Sequence, residues 1–308
     1  MSDNKDSNGR LAMGGPGLVW IRTGAAGALL ALATVGCSAA DPSDDFSDEP
    51  LGTGAQEVRA GTPGGGVGTV EVGLCTGTLL GRHMILTAAH CFDAELGSAL
   101  SGTVNTKISY AHAGGTWSCM TGSPASGKCL TNRAVFVHRY QQGSDAKYDL
   151  AVVFTNTIGG AFENVTAADA ADGFYTGSLS PAESYRHYGR GYYDPDGTGA
   201  GIMRYMDDSL NWVGERHFVT DAGYDRICIG DSGGPYFLKD GEIATKWTFG
   251  IQSNFDSTGA WCVDEGDKFR GMRLTPFRAS QINDYRADRG LPPCVHPSSS
   301  SPDFWVCQ

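Results

Sequence analysis

Residues 230–235 read GDSGGP, and the fold depends on whether Ser232 in that run is a nucleophile or one corner of a turn. Three glycines in six residues favour a turn on composition alone. A serine hydroxyl at its ordinary pKa is a weak nucleophile, so a catalytic reading obliges the chain to supply an imidazole as base and a sheltered carboxylate to orient it. His90 lies near the end of MILTAAHC, residues 84–91, a strand-like apolar run in which a polar ring is out of place. Alone it reads as a structural histidine; beside Ser232 it reads as the base. Asp149 belongs to YDLAVVF, residues 148–154, where a charge set directly before a continuous apolar strand is held near the core. Taken singly it is a turn aspartate, and Asp145 is its nearest rival.

In that order, TAAHC, YDLAVV and GDSGGP resemble the three catalytic signatures of the chymotrypsin-like (trypsin-like) serine proteases, over about residues 58–290. The resemblance implies an all-β fold: two six-stranded antiparallel Greek-key β-barrels with a C-terminal helix, the site lying in the cleft between them. It assigns His90 as base, Asp149 as orienting acid, Ser232 as nucleophile, and the backbone N–H groups of Gly230 and Ser232 as the oxyanion hole. GDSGG also satisfies the G-x-S-x-G elbow of α/β-hydrolases. Those enzymes place the histidine after the serine, and here only His296, in a Pro/Ser-rich tail, does so.

Composition suits a β-rich extracellular enzyme, with 308 residues, 44 glycines and 19% charged residues. The strand candidates are TVEVGLCTGTLL, HMILTAAH, AVFVH, DLAVVF, ERHFVTD, PYFL, WTFGIQS and FRGMRL. TPFRASQINDYRADRG predicts one helix, with Thr275 as N-cap, Pro276 in the first turn and Gly290 at its end; the resemblance has it pack back on the second barrel. A net charge of −11 argues against a nucleic-acid partner. H-E-x-x-H and paired C-x-x-C spacings are absent, and the glycine runs lack a phosphate-binding lysine, so no metal or cofactor is expected. The expected partners are protein or peptide substrates, and the expected state is a monomer.

There are nine cysteines, and setting Cys37 aside leaves an even eight, which suits disulfides in an oxidising compartment. The resemblance implies Cys75 to Cys91 and Cys228 to Cys262. Sequence proximity suggests Cys119 to Cys129 and Cys294 to Cys307, with cross-pairing among these four left open. Cys37 follows TGAAGALLALATVG, residues 23–36, a short apolar run preceded by Arg10 and Arg22 that reads as a signal-peptide core within residues 1–40. Two fates stand open: a lipid on Cys37, attaching the protein to a membrane, or cleavage near Ala39 or Ala40. Both lead out of the cytoplasm. Residues 41–57 are acidic and proline-containing and read as a tether or propeptide, and residues 291–308 as a tied-down extension of the domain at 58–290.

VRAGTPGG from Val58 resembles the family's mature amino terminus, with Arg59 and Ala60 departing from it. The resemblance implies that a freed Val58 amine pairs with Asp231 and orders the oxyanion loop, a zymogen switch; a plain linker is the competing reading. For specificity, Arg226 stands where the family has its pocket floor, opposing a trypsin-like taste for Lys or Arg and favouring an acidic side chain. An Arg226 facing solvent or paired internally is the alternative. FGIQSNF resembles the opposite wall, with Ser253 bonding Asp149, and Asn254 and Phe255 where substrate backbone would lie, Phe255 narrowing the pocket. The leading function is a serine endopeptidase; the alternatives are an inactive protease-like binding protein and an esterase using the same nucleophile.

Overall fold

The computed structural model describes residues 62–63, 68–111, 127–141, 147–162, 169–191, 203–221, 227–255, 262 and 268–308. Cys37, Glu57, Val58, Cys119 and Arg226 therefore lie outside the described residues, as do both segments before Val58. Strand β1 (Thr62–Pro63) is followed by six strands of the first barrel: β2 (Thr69–Val72), β3 (Cys75–Leu80), β4 (Met84–Thr87), β5 (Ser101–Ala111), β6 (Gly127–Arg139) and β7 (Ala151–Thr155). They close in the antiparallel order β2-β3-β4-β7-β6-β5, a Greek key in which β5 returns beside β2. The β2–β3 hairpin turns on Gly73-Leu74, with Gly73 at φ +62, the left-handed conformation that a two-residue hairpin asks of glycine. Its interior holds Val70, Val72, Leu79, Ile85, Phe92, Val104, Val135 and Val153.

The second half runs through β8 (Gly173–Tyr175), β9 (Ser184–Gly189), β10 (Arg204–Ser209), β11 (Trp212–Val213), β12 (His217–Asp221), β13 (Pro235–Asp240), β14 (Ile243–Phe255) and β15 (Lys268–Arg273). The sheet order is β1-β10-β9-β13-β14-β15-β12-β11. It curls until the ends of β10 and β12 meet. Among the described residues that contact is made by single bonds rather than a ladder: Thr220 Oγ1 of β12 donates to Ser209 O of β10 at 3.4 Å, and Tyr185 Oη of β9 pairs with the same Thr220 Oγ1 at 2.8 Å. Tyr185, Phe218, Tyr236, Phe249 and Phe269 fill the space inside. A third apolar cluster lies between the halves, where Leu80, Met84, Leu86, Val152 and Phe154 of the first barrel meet Phe174, Phe237, Ile251 and Met272 of the second. The fold is all-β in two barrels, with a C-terminal helix.

A single turn, α1 (Asp93–Leu96), follows a 3-10 turn at Ala89–Phe92, and the closing helix α2 spans Pro276–Asp288. Thr275 caps α2, its hydroxyl accepting from Arg278 N–H, and Gly290 sits past its end at φ +66. The expectation that this helix packs back on the second barrel needs correction, because its polar and aromatic groups grip the first. Arg278 donates to Lys147 O at 2.8 Å and lies 3.5 Å over the Tyr140 ring; Tyr285 stacks on His138 at 4.7 Å. Its apolar Ala279 and Ile282 enter the cluster between the barrels, so α2 straddles the seam. Beyond it, β16 (Phe304–Val306) adds antiparallel to β8, and Arg286 binds Pro292 O and Gln308 O.

Three disulfides are formed among the described residues: Cys75–Cys91, Cys228–Cys262 and Cys294–Cys307. The backbone of Cys129 lies in β6.

Candidate active site

His90 sits in the 3-10 turn just after β4, and Asp149 just before β7, so the β4–β7 pairing brings them to the same end of the first barrel. Asp149 is wholly buried. Its carboxylate accepts three bonds: from His90 Nδ1 at 2.7 Å, from His90 backbone N–H at 2.9 Å and from Ser253 Oγ at 2.6 Å. The acceptor fixes the tautomer. A carboxylate facing Nδ1 requires the proton there, leaving Nε2 free as a base. The His90 side chain is about a quarter exposed. Burial alone would depress its pKa, but the hydrogen bond and charge of Asp149, with Asp93 behind, raise it above the ordinary 6.5.

Ser232 comes from the second half, in the turn between Cys228 and β13. Its loop is pressed against the first barrel: Thr76 N–H donates to Ser232 O at 2.8 Å, and Thr76 Oγ1 donates to Gly230 O at 2.8 Å. A side chain at Gly233, which has φ +81, would strike Thr87 Oγ1 and the Thr76 carbonyl, so only glycine permits this approach. Gly233 N–H bonds Gln252 O at 2.7 Å, placing the loop beside Ser253 and hence beside Asp149. Gly230 lies at φ +103. Among the described residues, neither the Gly230 nor the Ser232 N–H finds an acceptor. The Ser232 hydroxyl is half-buried and makes no hydrogen bond to the imidazole among the described residues, a contact that often tightens only with substrate in place.

Asp231 is wholly buried and accepts from Gly191 N–H at 2.7 Å and Cys228 N–H at 2.8 Å. No cation pairs with it among the described residues, and burial pushes its carboxyl up to about 7. A second histidine, His187, packs under the loop with Nδ1 3.1 Å from Pro235 O. Burial pushes it down to about 3, so it stays neutral at working pH and is no rival base. Cys75, Cys91 and His90 offer ligand-type atoms within 4.8 Å of one another, but both sulfurs are spent in the disulfide. That grouping does not suit a metal.

Of the specificity candidates, Ser253 is wholly buried on Asp149, Phe255 contributes its backbone to the end of β14, and Arg226 lies outside the described residues. Sequence reasoning missed Thr76, which joins the two halves beside Ser232, and the Glu71–Arg190 pair at 2.5 Å across the same seam. A threonine between a cysteine and a glycine in CTGTLL carries no signal of such a contact.

No curated protein matches the chain. The family model described as Trypsin matches residues 65–259, more than half of the chain's length. The chain belongs to the trypsin family.

Proposed function

We propose that the protein is a serine endopeptidase in which His90, Asp149 and Ser232 carry out hydrolysis through an acyl-enzyme. The observation that supports this most is the wholly buried Asp149 holding His90 at both its ring and its backbone, with Ser232 on a loop bonded to the same barrel. In this reading His90 Nε2 takes the hydroxyl proton as Ser232 Oγ attacks the peptide carbonyl, then returns it to the leaving amine. Asp149 stabilises the imidazolium formed between these steps. The Gly230 and Ser232 N–H groups receive the oxyanion, and losing one such donor typically costs about 3 kcal/mol of transition-state stabilisation. Water then attacks the ester, with His90 again as base.

The finer features belong to the same proposal. Arg226 at the pocket floor favours an acidic residue before the scissile bond, with Ser253 and Phe255 on the facing wall. Cleavage before Val58 frees an amine for Asp231. Residues 1–40 direct export, with Cys37 as the lipid acceptor, and three disulfides agree with an oxidising, extracellular location. Among the described residues no helix is long and apolar enough to cross a membrane.

Labelling with a fluorophosphonate and turnover of a peptide library test this together. Labelling and cleavage should vanish in Ser232→Ala; turnover that persists there would refute the assignment. Efficient cutting after Lys or Arg would refute the acidic pocket while leaving the nucleophile in place.

A further inference from the structure

Thr76 is the second residue of the buried strand β3 of the first barrel, following Cys75, whose disulfide holds the His90 segment. It has no exposed surface. Every polar atom it owns is used, and three of its four contacts leave the first barrel. Its N–H donates to Ser232 O at 2.8 Å, its hydroxyl donates to Gly230 O at 2.8 Å, and the hydroxyl accepts from Arg190 N–H at 3.3 Å. The fourth contact is Thr87 Oγ1 donating to its carbonyl at 2.7 Å. Gly230 O can only accept and the Arg190 N–H can only donate, so the hydroxyl's single proton goes to Gly230 and a lone pair faces Arg190.

The two carbonyls that Thr76 holds belong to alternate peptide planes: Gly230 O to the plane shared with the Asp231 N–H, and Ser232 O to the plane shared with the Gly233 N–H. Between them lies the peptide that carries the Ser232 N–H, whose own carbonyl, Asp231 O, accepts from Gly234 N–H at 2.8 Å. With the planes on both sides pinned, that peptide has little freedom to turn and its N–H keeps its direction. We infer that Thr76 is a positioning residue for the oxyanion hole, its hydroxyl and N–H holding the loop so that the Ser232 N–H points where negative charge develops. The inference rests on the hydrolytic reading above. A preorganised donor acts on the transition state far more than on the neutral substrate carbonyl. Losing the hydroxyl should therefore lower kcat and leave KM in place.

The test uses the full chain with Thr76→Val, Thr76→Ala, Thr76→Ser and Ser232→Ala. Active sites are counted with a fluorophosphonate, and steady-state kinetics use a peptide anilide drawn from the library profile. Thr76→Val should lower kcat about tenfold with KM changed less than about twofold, and Thr76→Ser should restore kcat to within about threefold of wild type. Should Thr76→Val fail to fold, comparing Ala with Ser isolates the hydroxyl, since both lack the methyl group; equal kcat in that pair overturns the inference. An unchanged kcat in Thr76→Val, or a loss expressed in KM alone, also overturns it, while Ser232-dependent turnover keeps the hydrolytic reading intact. Turnover indifferent to Ser232→Ala overturns that reading and this inference with it.

Discussion

Replacing Asp231 with asparagine probes what its burial does to the uncleaved chain. The carboxylate is wholly buried, receives backbone N–H bonds from Gly191 and Cys228, and has no paired cation among the described residues. Burial pushes its carboxyl up to about 7 from an ordinary 3.8, against the opposing pull of those two bonds and of the Arg204 and Arg190 charges. A folded-state value above the unfolded one sets the sign: the contribution to stability is fully present below about 3.8, declines as pH rises, and is exhausted above about 7. The gap between those values corresponds to on the order of 4 kcal/mol, lost at roughly 1.4 kcal/mol per pH unit. Asparagine does not titrate, so the variant should lack that slope. The assay is urea unfolding between pH 4 and pH 8, an interval that starts just above the lower value and passes the upper one, in a Ser232→Ala background that keeps the chain intact. Parallel stability curves for the parent and Asp231→Asn would refute the burial argument. In a chain cleaved before Val58, the new amine should bring the carboxyl back down and flatten the parent's slope. Persistence of the slope after cleavage would remove Val58 as its partner.

Other outcomes follow from neighbouring geometry. The kcat/KM profile should rise with pH through a His90 value above 6.5, because the base must be neutral, and Asp93→Asn should move that limb to lower pH; no movement would exclude Asp93 from the field at His90. Arg139→Leu should lower stability by about 2 kcal/mol in urea, since this buried guanidinium holds the carbonyls of Gly97 and Ala99 and the Asp93 carboxylate just after the His90 turn. A variant as stable as the parent would show that water replaces those bonds without cost. Removing the Cys294–Cys307 link by the double serine substitution opens a closure of sequence separation 13 and should cost about 3 kcal/mol, with an unchanged midpoint refuting any staple role for the extension.

The three signature runs were legible because each is local: a turn of glycines, a strand end and a strand start, every one with its own composition. Strands such as β4, β7 and β13 were legible for the same reason, being short apolar runs between turn residues. SGTVNTKISYA and RYMDDS were not, because β5 and β10 are polar along much of their length and owe their place to pairing with β6 and β9. The face chosen by α2 was hidden as well. Its grip on the first barrel depends on Arg278, Tyr285 and Arg289, which sequence reads as ordinary polar positions of a helix. Buried arginines defeat a hydrophobicity pattern by satisfying themselves on carbonyls that only the folded chain brings near.

The same distinction bears on how a site divided between two barrels keeps its geometry. Apolar packing between the halves, Leu86 and Val152 against Ile251 and Met272, supplies adhesion but little register, because the hydrophobic effect has no direction. Register must come from directional contacts, and around the proposed site these sit at few points: Ser253 on Asp149, Thr76 on the Ser232 loop, and Glu71 on Arg190. The Glu71–Arg190 pair is almost wholly buried, where desolvation offsets much of its attraction, so its value lies more in choosing one alignment than in stability. The order of residues in β2 and β3 then has a physical logic. Within six positions the hairpin carries Glu71 for the loop after β9, Cys75 for the His90 turn and Thr76 for the serine loop, so a rigid two-residue turn sets the spacing of all three. A one-residue slip of β3 in that hairpin would turn Thr76 to the opposite face and release the serine loop, and would carry Leu79 out of the first barrel's interior with it.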